Sequence, residues 1–540
     1  MTTKASESLI AEWQGITRYR RFVEPCEQNQ SSRSATVVAM ATADNSPKTP
    51  SRRDMMRWSL YGIGSVPLAA AVLAACSDDA KTKSGTATKS EKTAEDPAKK
   101  WWLEGNFAPV KKEVEEFDLD VKGAIPTALA GLYVRNGSNP SSGDSSHWFF
   151  GDGMAHGMRL ENGKAKSYRN RYVQTSLYKT GADFGSGPPG GEANQGNVSF
   201  INHGGKLLSS GEVGFPYELS PEDLSTVGAY DFGGKLTGNF TAHPKIDPAT
   251  GNLHFFGYGF TEPFLMYHVA DATGQLIHSE PVPAKGGTMV HDFAITESDA
   301  VFWELPVVFD MEGAAQWLKD PDSGAMPFKW DPGFGARVGV MPLGGPASAI
   351  QWSDIDPCYV FHGVNAHRDG ANVVLDVCRL SSMFNTDGEF AGDLSLRRWT
   401  VDTDNNRVSD EIIDTDDGAE LPSRDPRLVG RPYRYGYFAQ TRPTEGTVDM
   451  GGLIKRDYKN GTREIWDPGP TKHTGEWLFV PDPDDKGEDA GYLLTYLYDD
   501  TTEKSELVIV DATEIKKGPI ARVALPQRVP YGFHATWVPV

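Results

Sequence analysis

The chain has 540 residues, a formal net charge of -20 at pH 7, 39% hydrophobic residues and 11% aromatic residues. This apolar content suits a folded core and excludes a disordered chain. So acidic a surface repels phosphate backbones, which argues against a nucleic-acid partner. The four cysteines are too few and too scattered along the chain for a disulfide scaffold or a zinc–thiolate site.

The N-terminal part of the chain has the pattern of an export signal. A twin arginine, Arg52–Arg53, precedes a weakly apolar run, Trp58–Ala75, which ends in small residues before Cys76. We predict a twin-arginine lipoprotein-type signal over residues 51–76, preceded by a leader over residues 1–50. A single membrane anchor is the alternative, although about 18 residues interrupted by glycine and proline are marginal for a span. The predicted location is the cell envelope or periplasm, with peripheral membrane association through a lipid on Cys76; the alternative is cytoplasmic if the signal is not used.

Residues 77–100 separate this signal from the rest of the chain. The segment contains neither an aromatic residue nor a large aliphatic one, so it cannot bury enough surface to fold. We predict a flexible polar linker here and one folded domain over residues 101–540.

From Trp101 onward, short apolar or alternating runs are broken by turn residues, a pattern typical of an all-β fold. Asn162–Gly163 is typical of a hairpin turn, and helical periodicity is limited to a short stretch at Ala314–Lys319. So many strands favour one closed architecture, for which a propeller of four-stranded blades is the natural form, although no clean repeat marks the blades. Clear strand candidates are Gly131–Arg135, Asn252–Phe256, Asn372–Cys378, Gly491–Tyr498 and Glu506–Val510.

Four of the 12 histidines are candidates for one metal site. His243 lies in the stretch Thr241–Pro248, which means little alone, whereas His291, His362 and His534 stand in compact, aromatic-rich settings. Their spacing matches no local metal motif, so spacing alone is a weak signal. In a propeller, however, the innermost strands of all blades line one axis, and residues several blades apart can meet there. With about 60 residues per blade, the intervals correspond roughly to one, one and three blades.

The motifs around these histidines resemble those of the carotenoid cleavage oxygenases, a family that includes apocarotenoid- and stilbene-cleaving members. The resemblance covers essentially residues 101–540. Its markers here are Gly131–Pro140 (GLYVRNGSNP), His147–Met154 (HWFFGDGM), Thr241–Lys245 (TAHPK), His291–Thr296 (HDFAIT), Phe361–Ala366 (FHGVNA), Gly430–Tyr435 (GRPYRY) and Phe533–His534.

The resemblance implies an all-β, seven-bladed β-propeller with short helices and loops capping the active-site face. It also implies a non-haem Fe(II) held by His243, His291, His362 and His534, with no catalytic residue beyond the metal centre. The carboxylates that support the histidines in that family match Glu212, Glu420 and Glu476. The implied reaction inserts O2 across a conjugated carbon–carbon double bond and releases two carbonyl products.

The chemistry of the donor set agrees with this expectation. Neutral imidazoles suit Fe(II), and four of them leave positions open for O2 and substrate. Zinc is the rival metal, but a typical catalytic zinc has three protein ligands and a water, and hydrolysis requires a nearby general base. The partners that the resemblance implies are O2 and a hydrophobic polyene or stilbene-like substrate.

One departure from the family pattern reduces the number of candidate substrates. Stilbene-cleaving relatives have a lysine directly before the first supporting glutamate, where this chain has Gly211. This favours a carotenoid or apocarotenoid; a stilbene- or phenylpropene-cleaving oxygenase and a non-catalytic propeller that binds a lipid or protein are the alternatives. Aromatic residues that either line a substrate tunnel or belong to the core are Phe293, Trp303, Phe309, Phe328 and Trp330.

Overall fold

The computed structural model describes residues 100–182, 191–384, 392–416, 418–442 and 449–540. The predicted leader and signal lie outside these residues, as does the predicted linker except for Lys100.

The described part is built almost wholly from antiparallel β-strands. In chain order the strands are β1 (Glu115–Phe117), β2 (Val121–Gly123), β3 (Gly131–Arg135), β4 (Met154–Glu161), β5 (Lys164–Tyr172), β6 (Ser199–His203), β7 (Lys206–Ser210), β8 (Tyr217–Leu219), β9 (Thr226–Ala229), β10 (Lys245–Ile246), β11 (Leu253–Tyr258), β12 (Leu265–Ala270), β13 (Leu276–Pro281), β14 (Ala294–Ile295), β15 (Asp299–Glu304), β16 (Val307–Phe309), β17 (Phe328–Trp330), β18 (Ala336–Pro342), β19 (Gln351–Ile355), β20 (Tyr359–Asp369), β21 (Asn372–Leu380), β22 (Leu394–Asp402), β23 (Arg407–Asp414), β24 (Ala419–Ser423), β25 (Tyr435–Arg442), β26 (Asp449–Asp457), β27 (Thr462–Trp466), β28 (Lys472–His473), β29 (Leu478–Pro481), β30 (Gly491–Asp499), β31 (Lys504–Asp511), β32 (Pro519–Ala524) and β33 (Ala535–Pro539).

These strands form the seven blades of a β-propeller, which confirms the predicted fold. Blade 1 has the order β1-β5-β4-β3-β33, blade 2 β6 to β9, blade 3 β10 to β13, and blade 4 β14-β15-β18-β19. Blade 5 comprises β20 to β23, blade 6 β24 to β27, and blade 7 β2-β32-β31-β30-β28 with β29 also on β30. Strands β16 and β17 form a separate two-stranded sheet.

Strands from both ends of the folded domain close the ring. In blade 1 the last strand, β33, pairs with β3 from Gly131↔Pro539 to Arg135↔Ala535. In blade 7 the early strand β2 pairs with β32, as in Val121↔Val523. A closed ring leaves only short protected edges, and these two pairings hold its first and last blades together.

The burial of the strands explains their sequence patterns. Strand β15 (Asp299–Glu304) is buried along its whole length, whereas β13 (Leu276–Pro281), at the edge of its blade, alternates between buried or half-buried and exposed residues. A strand covered on both faces reads as a continuous apolar run, and a half-covered strand reads as alternation. All five strands predicted from the sequence are present, with ends shifted by at most two residues.

A hairpin follows the sequence expectation, and both described cysteines are buried. Asn162 and Gly163 both adopt positive φ, at 52° and 71°, as a tight turn between β4 and β5 requires. Cys378, which ends an apolar run, is a buried free thiol, and so is Cys358. The two cysteines are therefore part of the packed interior.

The described residues contain two α-helices, α1 (Ser176–Thr180) and α2 (Met311–Lys319). The second confirms the predicted helical stretch and begins three residues earlier. It lies between β16 and β17, and its Trp317 packs against Phe150 with ring centroids 5.4 Å apart. No helix in this part of the chain combines the length and apolar character needed to cross a membrane. Short 3₁₀ turns occur at Trp101–Leu103, Gly105–Phe107, Trp148–Phe150, Pro332–Phe334, Ala347–Ala349, Pro426–Leu428 and Ile515–Lys517.

Candidate metal centre

Four imidazoles from four blades converge at one point. His243 lies two residues before β10, His291 three residues before β14, His362 within β20, and His534 directly before β33. These strands belong to blades 3, 4, 5 and 1, so successive histidines are one, one and three blades apart, as the sequence intervals predict. One ligand atom from each of the four lies within 4.8 Å of the others.

Three of the imidazoles contact a buried or half-buried carboxylate through Nδ1. His362 Nδ1 lies 2.7 Å from Glu420 Oε2, and His534 Nδ1 lies 3.0 Å from Glu476 Oε1. His291 Nδ1 contacts Glu212 Oε1. The sequence-predicted carboxylates therefore all lie beside the histidines. Each ring donates its Nδ1–H to a carboxylate, which fixes the tautomer and leaves the Nε2 lone pair free for coordination.

The carboxylates come from the blades that carry no histidine of the group. Glu212 follows β7 in blade 2, Glu420 is in β24 of blade 6, and Glu476 lies between β28 and β29 of blade 7. Every blade thus contributes one side chain, and the group lies at the centre of the ring. Successive members of the group are between 31 and 71 residues apart along the chain, so only closure of the propeller assembles them.

The carboxylates are themselves held in place. Tyr258 donates its hydroxyl to Glu212 Oε2 at 2.7 Å, and the backbone N–H of Ala535 donates to Glu476 Oε2 at 2.6 Å. The backbone N–H of Leu421 donates to Glu420. Because one oxygen of each carboxylate accepts a hydrogen bond from a fixed donor, the carboxylate keeps its position and thereby orients the imidazole.

The spacing of the ring nitrogens fits a metal ion. The Nε2 atoms of His291 and His362 lie 3.4 Å apart, and that of His243 lies 2.9 Å from that of His291. Two ligands at right angles on a metal with bonds of about 2.1 Å are about 3 Å apart. Because Nδ1 carries the proton in His291 and His362, their Nε2 lone pairs face each other. A cation between them replaces this repulsion with coordination, so the four-histidine group can hold a metal ion.

Burial favours the neutral form of two of these imidazoles, as coordination requires. It lowers the pKa of His243 and of His362 well below the ordinary histidine value, and the neighbouring imidazoles lower both further. Burial also lowers the pKa of His291, but Glu212 outweighs it and the net direction is upward. Burial raises the pKa of Glu420 to about 7, against the effect of the Leu421 N–H. A bound divalent cation favours ionised carboxylates and neutral imidazoles, and so opposes the upward shifts in the pKa of His291 and of Glu420.

A largely apolar cavity of about 370 Å³ opens onto this group. Three of the histidines, His291, His362 and His534, lie on its wall. Its polar wall residues away from the histidines and their glutamates include Gln195, Asn197, Thr441, Arg442 and Asp449. Its apolar wall includes Trp148, Phe149, Phe150, Val198, Val213, Tyr258, Phe260, Met289, Met326, Phe328, Phe361, Leu380, Phe384, Leu394, Leu421, Met450 and Phe533.

Of the five aromatic residues singled out from the sequence, only Phe328 lines this cavity. Phe293 and Trp303 are buried in the core between blades, and Phe309 stacks on Phe260 with centroids 4.1 Å apart. Trp330 packs on the outside of the same core. The aromatics that sequence reasoning missed include Phe361 and Phe533, each directly before a histidine of the group, and this position is the signal that could have identified them.

Comparison with known proteins agrees with the fold and the site. A family model described as "RPE65: Retinal pigment epithelial membrane protein" matches residues 107–539. A carotenoid cleavage oxygenase of Mycobacterium tuberculosis is 37% identical over 498 residues, covering 81% of this chain and 97% of its own.

Two solved structures share the architecture. Pseudomonas brassicacearum lignostilbene dioxygenase has a TM-score of 0.73 and 29% identity, over 84% of this chain and 100% of its own. A variant of Synechocystis apocarotenoid oxygenase has a TM-score of 0.73 and 27% identity, over 82% and 99%. From the family match, the identity to the mycobacterial oxygenase and the shared propeller, the chain belongs to the carotenoid cleavage oxygenase family.

Proposed function

We propose that the protein is a non-haem Fe(II) dioxygenase that cleaves a conjugated carbon–carbon double bond of a carotenoid or apocarotenoid with O2, giving two carbonyl products. The observation that carries the proposal is the convergence of four imidazoles, three of which lie on the wall of a largely apolar cavity. His243, His291, His362 and His534 would hold the iron, and Glu212, Glu420 and Glu476 would orient three of them. Bound iron would supply the site at which O2 is activated.

The cavity walls supply what an elongated apolar substrate needs. Trp148, Phe149, Phe361 and Phe533 form flat surfaces beside the histidines, against which a polyene can pack without losing hydrogen bonds. They also exclude water from the reacting double bond. The chain's role is therefore to bind, align and shield the substrate, and the proposed reaction requires no general acid or base.

The polar part of the cavity wall favours a substrate that carries an oxygen atom. Thr441 and Arg442 end strand β25, on which Ala439 is the register partner of Glu420. At about 3.3 Å per strand residue, Arg442 lies about 10 Å along the strand from that pair. A polyene whose double bond lies at the histidines can therefore present an aldehyde or hydroxyl end to these side chains, as an apocarotenoid does.

Cleavage of a stilbene is the second candidate, and the similarity to the lignostilbene dioxygenase supports considering it. The chain has Gly211 where a phenol-binding lysine is expected. A Cβ at this position would lie 2.8 Å from Asn194 Oδ1, which is fixed by accepting the Gly196 N–H at 2.6 Å. Any side chain at residue 211 must displace this amide, which favours the carotenoid or apocarotenoid over a phenolic stilbene.

Incubation of iron-loaded protein with ¹⁸O₂ tests the proposed function. Apocarotenals, carotenoids, hydroxystilbenes and isoeugenol are offered in parallel, and the products are identified by mass spectrometry. We expect labelled carbonyl products from a carotenoid or apocarotenal. Products from hydroxystilbene or isoeugenol alone would select the second candidate. If protein shown to contain iron gives no product from any of the four compound classes, the remaining hypothesis is a non-catalytic propeller.

We also propose that the protein is anchored in the cell envelope by a lipid on Cys76. Support comes from the twin arginine, the apolar run and the small residues that precede this cysteine. The test is metabolic labelling with palmitate followed by membrane fractionation. Cys76→Ala should lose both the label and the membrane fraction, while the control Cys26→Ala should keep both. Equal labelling of Cys76→Ala and the parent protein would contradict the proposal.

A further inference from the structure

Asp292 is a buried carboxylate next to a histidine of the metal group, and it does not contact the cavity. Its side chain is 1% exposed. Oδ1 accepts a hydrogen bond from Lys245 Nζ at 2.6 Å and from the backbone N–H of Phe293 at 2.8 Å. Oδ2 accepts the backbone N–H of Gly363 at 2.9 Å. A buried charge with this many donors is satisfied, whereas removal of its donors would leave it strongly unfavourable.

The partners of Asp292 connect three of the four histidine segments. Lys245 lies two residues after His243, Asp292 directly after His291, and Gly363 directly after His362. These segments belong to blades 3, 4 and 5, and the two long-range hydrogen bonds span 47 and 71 residues. The carboxylate of Asp292 therefore holds together three chain segments, each of which carries one histidine of the metal group.

The strand that carries His362 is irregular at this point. The register of β20 against β21 shifts on both sides of Gly363. Irregularities of this kind redirect a side chain away from the regular pleat. The hydrogen bond from Gly363 to Asp292 holds the backbone in this arrangement directly beside His362. A Cβ at residue 363 would lie 3.0 Å from the ring of Trp303, so any side chain there would have to displace this ring.

We infer that Asp292 is a positioning residue of the metal centre, distinct from the three glutamates. It sets the relative positions of His243, His291 and His362 through Lys245 and Gly363, and touches neither metal nor substrate. The inference rests on the proposed metal site but not on the proposed substrate or reaction. Its loss should lower metal affinity by about 10- to 100-fold, as is usual for partners that orient ligands.

Metal binding by the full-length protein tests this role without any substrate. Co(II) affinity is measured by competition with a chromophoric chelator, and the visible spectrum of the Co(II) protein reports the ligand geometry. The variants are Asp292→Asn, which keeps the shape but removes the charge, and Lys245→Met, which removes one of the two long-range bonds. The matched control is Asp376→Asn, because Asp376 is equally buried and pairs with Arg398 at 2.7 and 2.8 Å, away from the metal group.

We expect Asp292→Asn to bind Co(II) about 10- to 100-fold more weakly, with an altered spectrum. Lys245→Met should show a smaller change in the same direction. Asp376→Asn should lose thermal stability but keep parental affinity and spectrum. If Asp292→Asn does not fold, an altered Co(II) spectrum in folded Lys245→Met supports the inference and an unaltered one overturns it.

Parental affinity and spectrum in folded Asp292→Asn would overturn the inference. An equal loss of affinity in Asp376→Asn would also overturn it, because the effect would then reflect general destabilisation. Failure of the parent protein to bind metal would instead contradict the proposed function. The two failures are thereby distinguished.

Discussion

The imidazole of His362 donates its Nδ1–H to Glu420 across 2.7 Å, and this bond determines which ring nitrogen faces the metal group. The same oxygen of Glu420 accepts the backbone N–H of Leu421, so the carboxylate cannot rotate away without losing a bond to the fold. Blade 6 therefore controls the orientation of a histidine that belongs to blade 5.

Glu420→Gln should weaken metal binding while leaving the fold intact. The amide oxygen can still accept both N–H groups, but the negative charge that offsets the metal is lost. We expect about a 10-fold or greater rise in the dissociation constant for Co(II), measured by chelator competition. Glu304→Gln is the control, because Glu304 is also buried but pairs with Arg337 outside the group. Equal affinities in Glu420→Gln and the parent would show that Glu420 does not tune the centre.

Arg442→Met should impair the use of substrates with an oxygen-bearing end. The guanidinium lies on the cavity wall and is fixed by bonds of 2.9 Å to the carbonyl oxygens of Lys472 and Gly469. A hydrogen bond from a charged group is worth about 1.5–3 kcal/mol, so KM for an apocarotenal should rise about 10-fold or more. KM for a hydrocarbon carotene should change little. An equal rise for both substrates would show that Arg442 acts only on the fold.

Gly211→Lys should lower stability without conferring stilbene cleavage. The new Cβ would meet Asn194 Oδ1 at 2.8 Å, and the displaced amide would lose its bond to the Gly196 N–H. We expect a lower Tm than in the parent and no product from hydroxystilbene. Combining the change with Asn194→Gly should restore part of the lost Tm. A Gly211→Lys variant with parental Tm would contradict the steric argument.

His473→Gln should destabilise the protein more at pH 6 than at pH 9. His473 Nδ1 lies 2.7 Å from Asp449 and Nε2 lies 2.7 Å from Asp500, and the hydrogen bond to Asp449 raises the pKa of His473 against the effect of burial. Because the folded pKa is above the unfolded value, the stabilisation is fully present below the unfolded pKa and is lost as pH rises through the folded one. The check is the difference in Tm between variant and parent at both pH values. A difference that is constant or grows with pH would refute the assignment.

Most residues of the metal group could be predicted from the sequence, because each lies in a short stretch that can be recognised without knowledge of the fold. Each histidine stands in a short motif, and the intervals between them correspond to whole blades. Glu420 and Glu476 rest on shorter matches, yet both lie against their histidines at 2.7 and 3.0 Å. Strands such as Gly131–Arg135 are recognisable because apolar runs and turn residues are likewise local features.

Packing between blades could not be predicted in the same way. Phe293 and Phe361 are both aromatic residues within two positions of a histidine of the group, yet only Phe361 lines the cavity. Which side of a strand faces the cavity depends on the neighbouring blade. The role proposed for Asp292 could not be predicted from the sequence for the same reason, because its partners Lys245 and Gly363 are remote in sequence.

The metal content of the purified protein is the decisive test of a metal centre held by four histidines. Iron is measured by elemental mass spectrometry in the parent, in His291→Ala, and in His254→Ala, whose buried histidine bonds Tyr267 outside the group. We predict about one iron per chain in the parent and in His254→Ala, and loss of iron from His291→Ala with the propeller still folded. Full retention of iron by His291→Ala, or its absence from the parent, would contradict the four-histidine centre.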